Sequence, residues 1–215
     1  EIYTLSLHDA LPIYQPVRLI WRKEENTMNK WNLKNVLWML LYTILYGIGT
    51  ALVCVTGMIH PVFFVLYQAT AGILLTGIVL KAFDRVKAPG AAAFLSAGLV
   101  IMLFIIQDAT RWHLIPVIII ALAAELFRCA FKYNWTGNLA GTVIMTFSTF
   151  GYYSQIWFHR AYTYEVAVED MPAGYADTLM SYSPAWTLPV VLIIGIALSI
   201  AIANITAKLF KLDRA

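Results

Sequence analysis

Val36–Met58 reads VLWMLLYTILYGIGTALVCVTGM, 23 residues without an Asp, Glu, Lys or Arg. A helix rises about 1.5 Å per residue, so a run of this length matches the roughly 30 Å hydrocarbon core of a bilayer. Five similar runs follow: Val62–Leu80, Ala88–Ile106, Leu114–Ala130, Leu139–Phe158 and Leu188–Leu209. None alternates apolar and polar residues in the manner of a membrane barrel strand. Backbone groups in lipid must be satisfied within the chain, and helices do this. The expected fold class is therefore all-α: a polytopic membrane protein with six transmembrane helices in a single domain over residues 28–215.

Composition agrees. Of 215 residues, 60% are hydrophobic and 13% charged, and the mean hydropathy is +0.71. Soluble domains carry about 25% charged residues. These values exclude a disordered chain, a nucleic-acid-binding module and an ordinary soluble globule. The two cysteines, Cys54 and Cys129, do not form a disulfide framework.

Residues 1–27 are expected to stand outside the fold. Glu1–Ile13 (EIYTLSLHDALPI) resembles the in-frame translation of a sequencing-library adapter, and Met28 opens a sensible start. A signal peptide needs an uninterrupted apolar stretch of about 7–15 residues. Asp9, Pro12 and the charged Arg22–Glu25 segment interrupt it.

Charge sets the expected orientation. With both termini cytoplasmic, the inner segments hold Lys30, Lys34, Lys81, Arg85, Lys87, Arg128, Lys132, Lys208, Lys211 and Arg214. The outer segments hold only Arg111 and Arg160, with Asp108, Glu165, Glu169, Asp170 and Asp177. This asymmetry follows the positive-inside rule. The connection 159–187 is long, which usually signals function or its own structure. Within it, Ala176–Tyr182 suits a short amphipathic helix.

No GxxxxGK[ST], GxGxxG or HExxH string occurs. No cofactor or metal site is expected: His60, His113 and His159 lie at separate span edges and read as interfacial residues. Trp31, Trp38, Trp112, Trp135, Trp157 and Trp186 fit aromatic belts. Three features stand out. Glu125 lies near the end of the fourth span, within i,i+3 reach of Arg128; this is either an internal pair or a partner contact. The fifth run is polar for a span, with Thr142, Thr146, Ser148, Thr149, Tyr152, Tyr153, Ser154 and Gln155. Gly47, Gly49 and Ala51 permit close helix approach, within the chain or to a membrane partner.

The C-terminal ninety residues carry a family pattern. Its parts are AEL-x-R at Ala124–Arg128, Tyr133–Ala140 entering the fifth helix, Phe147-Ser148 and Trp157–Arg160. Tyr175–Leu179 and Trp186–Pro189 complete it. In these the chain resembles the Trep-Strep, or MptD-like, family of S components of energy-coupling factor (ECF) transporters. Ala161 stands where the family commonly has an aspartate. The resemblance implies a six-helix S component in the bacterial cytoplasmic membrane. Such a subunit captures a small nutrient on the outer face, and partners with a transmembrane T subunit and two ATPases that hydrolyse the ATP. On that reading the chain is not an enzyme and binds no nucleic acid.

The expected ligand site lies among the fifth helix, the sixth helix and the long connection, and combines apolar surface with a few polar groups. Tyr152 and Gln155 would donate or accept hydrogen bonds. Trp157, Tyr175 and Trp186 would supply stacking surface. His159 and Arg160 would stand at the mouth, Arg160 facing an anionic ligand. A membrane-embedded enzyme would instead need a paired nucleophile and base, or two carboxylates, within the spans. A stand-alone channel, transporter or sensor would need a charge ring or a filter-like carbonyl loop if it conducts ions. The residues leave the ligand open among vitamins, metal ions, metal chelates and purine-like nutrients.

Overall fold

The computed structural model describes residues 31–212 and 214, and no strand occurs among them. The adapter-like segment 1–27 lies outside the described residues. The helices are α1 (Leu33–Ile59), α2 (Pro61–Val65), α3 (Tyr67–Arg85), α4 (Ala91–Ile105), α5 (Arg111–Ala130) and α6 (Trp135–Met145). After them come α7 (Phe150–Tyr153), α8 (Gln155–Phe158), α9 (Arg160–Asp170), α10 (Tyr175–Tyr182) and α11 (Thr187–Leu209).

Local chemistry sets the boundaries. The Asn32 side chain accepts from Asn35 N at 2.9 Å and caps α1. The helix stops at His60, whose backbone is extended, because Pro61 disfavours helical geometry in the residue before it. Pro61 then opens α2 at a position where its missing N–H costs nothing. Pro89 and Gly90, with φ +86°, delay α4 to Ala91, three residues after the apolar run begins.

Among the described residues three helices are long and apolar enough to cross a membrane: α1, α5 and α11. Each buries one narrow stripe and exposes the rest. On α1, Met39, Tyr46, Thr50 and Val53 are buried, while Leu37, Leu41, Ile44, Ile48 and Leu52 face outward. A wide apolar face turned away from the core needs an apolar solvent. The centre of the bundle is α3, buried along most of its length. It packs closely on α11 where glycine meets glycine. A Cβ on Gly72 would lie 2.8 Å from the Gly195 carbonyl oxygen, and one on Gly195 would lie 2.4 Å from Gln68 Cγ.

The fifth apolar run differs from the single helix expected. It forms α6, α7 and α8 with turns at 146–149 and 154. Within the turns the backbone bonds tighten to i→i−3, as in Ser148 N to Met145 O (3.2 Å) and Phe150 N to Phe147 O (2.8 Å). The hydroxyls of Thr146 and Ser148 donate to the carbonyls of Val143 (2.7 Å) and Met145 (2.8 Å), competing with the helical ladder. Neighbouring helices complete the satisfaction. Tyr46 Oη donates to Met145 O at 2.8 Å, and Gln68 Nε2 donates to Thr146 Oγ1 at 3.0 Å. Irregular backbone is tolerated at membrane depth only where it is buried in protein or lines a cavity.

The 159–187 connection is itself largely helical. It carries α9 and α10, and α10 spans the short helix the sequence suggests. Tyr175 Oη donates to the Gly57 carbonyl and ties α10 to the end of α1. Burial pushes the Tyr175 phenol up to about 12, so the donor stays protonated at neutral pH.

At the opposite end of the bundle Arg128 is fully buried. Its Nη1 donates to Glu125 at 3.1 Å, Nε to Asn138 Oδ1 at 3.1 Å and Nη2 to Val86 O at 3.2 Å. Its guanidinium lies 3.9 Å from the Phe83 ring centroid. Glu125 also accepts from Ala92 N at 3.0 Å, at the start of α4. One side chain thus joins α3, α5 and α6, and its ion-pair partner joins α4.

Candidate functional site

Two cavities share a wall at the end of the bundle bearing His60, His113 and His159. The larger, about 280 Å³, lies beneath α9 and α10. The smaller, about 220 Å³, runs deeper between α1, α4, α5 and the broken stretch after α6. Asp108, His113 and Tyr152 line both. Together the cavities fall within the roughly 300–1,000 Å³ of small-molecule sites.

The break after α6 positions Tyr152. A continuous α-helix would lack the two turns that flank α7, and these set Tyr152 against Phe64 and Tyr67, with ring centroids at 5.4 and 6.0 Å. Tyr67 stacks on Tyr153 at 4.8 Å and lies 3.0 Å from Cys54 Sγ. Gly151 lets this segment approach α5, since a Cβ there would lie 1.8 Å from the Trp112 carbonyl oxygen.

His113 is the most constrained polar group of the wall. Its side chain is 9% exposed. Nδ1 lies 2.8 Å from the Asp108 carbonyl oxygen and 3.2 Å from Asp108 Oδ1. A carbonyl only accepts, so Nδ1 carries a proton; in the neutral form of the ring Nε2 is then the lone-pair nitrogen. That buried Nε2 has no hydrogen-bond partner. Gln155 shows the same asymmetry. Its Nε2 donates to Gly151 O at 3.2 Å, which leaves Oε1 buried without a partner. Thr149 Oγ1, at the smaller cavity, is buried without a partner as well. Buried polar atoms are nearly always satisfied, so three orphans at one chamber call for a hydrogen-bonding group that is not part of the chain.

Of the seven residues expected at the site, Tyr152, Gln155 and Tyr175 line the larger cavity. The other four stand elsewhere. Trp157 Nε1 donates to Thr187 Oγ1 at 2.9 Å. His159 packs edge-on against Trp112 at 4.5 Å. Trp186 is 68% exposed. Arg160, expected at the mouth, bonds the carbonyls of Ile156 (3.2 Å), Met180 (3.0 Å) and Ser183, clamping α10 to α8. The sixth apolar run contributes no lining residue to either cavity; α2, α5 and α9 do instead. Asp108 and His113 were missed because each reads as an ordinary edge residue. Their i,i+5 spacing across a helix start was the available signal.

The residues expected to contact a partner take several places. Gly49 packs inward, where a Cβ would lie 2.9 Å from Leu75 Cδ2, and Gly47 faces Met102. Ala51 is exposed. Glu125 and Arg128 are occupied with each other and with α3, α4 and α6. Among the described residues no group of three His, Cys, Asp or Glu is placed to hold a metal ion.

An all-helical chain with broad outward apolar faces and a chamber at one end is an integral membrane protein. The family model for a hypothetical bacterial integral membrane protein (Trep_Strep) matches residues 33–212. The chain belongs to that family. No curated protein and no solved structure matches it.

Proposed function

We propose that this protein is the substrate-binding S component of an ECF-type importer. On this reading six spans cross the bacterial cytoplasmic membrane: α1, α2 with α3, α4, α5, the broken α6–α8, and α11. Both termini are cytoplasmic and the chamber faces out. It captures a small nutrient beneath α9 and α10 and delivers it with a T subunit and two ATPases. The chain itself performs no catalysis.

The observation that carries the reading is the chamber, walled by a broken helix and covered by a helical connection. Broken helices near the middle of a bundle are a recurrent way to build transporter binding sites, because freed backbone and polar side chains then face the cavity. The basic bias supports the orientation, since it places the chamber and the acidic 159–187 connection outside. The ECF assignment itself rests on the motif resemblance described above.

Two experiments test it. Expressed with candidate T and ATPase subunits, the chain should copurify with them and support ATP-dependent uptake. Purification without any such partner, from cells that contain them, would refute the assignment. With Cys54 and Cys129 replaced, a cysteine at position 169 should label from outside whole cells and one at position 85 should not. The reverse pattern would overturn the orientation.

A further inference from the structure

The charged groups of the chamber are of one sign. Its lining carries two carboxylates, Asp108 and Asp170, and no lysine or arginine among the described residues. Of the three buried orphan atoms at the chamber, Gln155 Oε1 accepts, His113 Nε2 accepts in the neutral ring, and the Thr149 hydroxyl accepts or donates. Between them stand aromatic faces: Phe64 and Tyr152 at 5.4 Å from each other, and His113 at 5.4 Å from Tyr152. Arg160, the nearby cation that could have met an anion, is occupied by three backbone carbonyls.

Carboxylates, unpartnered acceptors and π-faces all favour the same ligand property. They stabilise positive charge and N–H donors, and they repel a carboxylate or phosphate. The deeper cavity adds Cys54, Met102, Leu103, Ile106 and Val117, a largely apolar wall. We propose that the chamber binds a small organic cation, a protonated amine or amidine joined to an apolar or aromatic body. Its charged N–H groups meet Asp108, His113 Nε2 and Gln155 Oε1, and its body packs against Phe64 and Tyr152. This deepens the S-component reading and rests on it for the chamber being a capture site. A bare metal ion is a poorer fit, because no three metal-ligating side chains converge among the described residues.

The test uses the full chain in mild detergent and three probes with one arene and different head groups. They are 2-phenylethylamine, 2-phenylethanol and 3-phenylpropionate, measured at neutral pH by tryptophan fluorescence and calorimetry. The amine should bind, and the carboxylate should bind at least about tenfold more weakly, since one buried charge contact is worth roughly 1.5–3 kcal/mol. Asp108→Asn should weaken the amine about five-fold or more and the alcohol less, because only the amine loses a charge contact; Gln155→Leu should weaken both, because both donate to Oε1. A folding defect would mimic lost binding, so each variant is compared with wild type at matched helicity, and the probe series on wild type decides alone. Equal affinity for all three probes, a preference for the carboxylate, tighter binding of zinc than of the amine, or no amine binding at millimolar concentration would overturn the assignment. Copurification with T and ATPase subunits in a chain that refuses amines would sink the cation assignment and leave the S-component reading standing. Amine binding without copurification would do the reverse.

Discussion

Replacing Arg128 by methionine should destabilise the protein more than any single change at the chamber. The side chain is fully buried and holds three acceptors on three elements: Glu125, Asn138 and the Val86 carbonyl. Methionine keeps most of the apolar packing on Phe83 and removes every donor. Removing one partner of a buried ion pair costs about 3–5 kcal/mol, because the other charge is left uncompensated. Glu125 is 19% exposed and keeps its bond from Ala92 N, which moves the expectation to the lower part of that range. For a chain of this size each kcal/mol shifts Tm by about 2–4 °C, so the fall should be on the order of 6–16 °C. Thermal unfolding in detergent, followed by circular dichroism, reads it. Arg128→Lys should recover little, since one ammonium cannot reach three acceptors in the geometry of a planar fork. The double variant Glu125→Gln with Arg128→Met should be more stable than Arg128→Met alone, because it removes the stranded carboxylate. A Tm change under about 2 °C for Arg128→Met, less than 1 kcal/mol on the same scale, would refute the internal-latch argument. Retained stability with lost assembly would instead identify Arg128 as a partner contact.

Gly195→Ala should lose about 1–3 kcal/mol by overpacking the α3–α11 crossing, read as a lower Tm, because its Cβ would lie 2.4 Å from Gln68 Cγ and 2.9 Å from Gln68 O. Arg160→Ala should leave the bundle folded but release α10, seen as faster proteolysis between α9 and α11; unchanged cleavage would show that the three carbonyl contacts do not hold the cover in place. Trp186→Ala should leave both stability and ligand binding unchanged, since the indole is exposed and lines neither cavity. The Tyr175 phenol is raised from 10.0 to about 12 by burial. A raised value means its contribution is complete below pH 10 and is lost as pH rises toward 12. Proteolysis of α10 should therefore increase over that window in the wild type, and Tyr175→Phe should remove that step.

Long uncharged runs such as Val36–Met58 announce apolar helices, because hydrocarbon solvent imposes both composition and length on a chain. Caps and breakers near the ends, such as Asn32, Pro61 and Gly90, act through neighbouring residues and so are legible locally. The clustering of polar residues between Thr142 and Gln155 was legible as well, and Tyr152 and Gln155 line the larger cavity. Tertiary structure alone decided the rest. Whether that polar stretch continues as a helix depends on Tyr46 and Gln68, which reach it from α1 and α3 to satisfy the freed groups. Arg160 looked like a free cation because its three acceptors come from α8 and from α10 and its end, up to 23 residues away. Asp108 and His113 line a cavity only because α2, α9 and the broken helix close around them. A charge in a sequence has a type and a spacing, but its partner, its burial and its freedom to meet a ligand are properties of the packed chain.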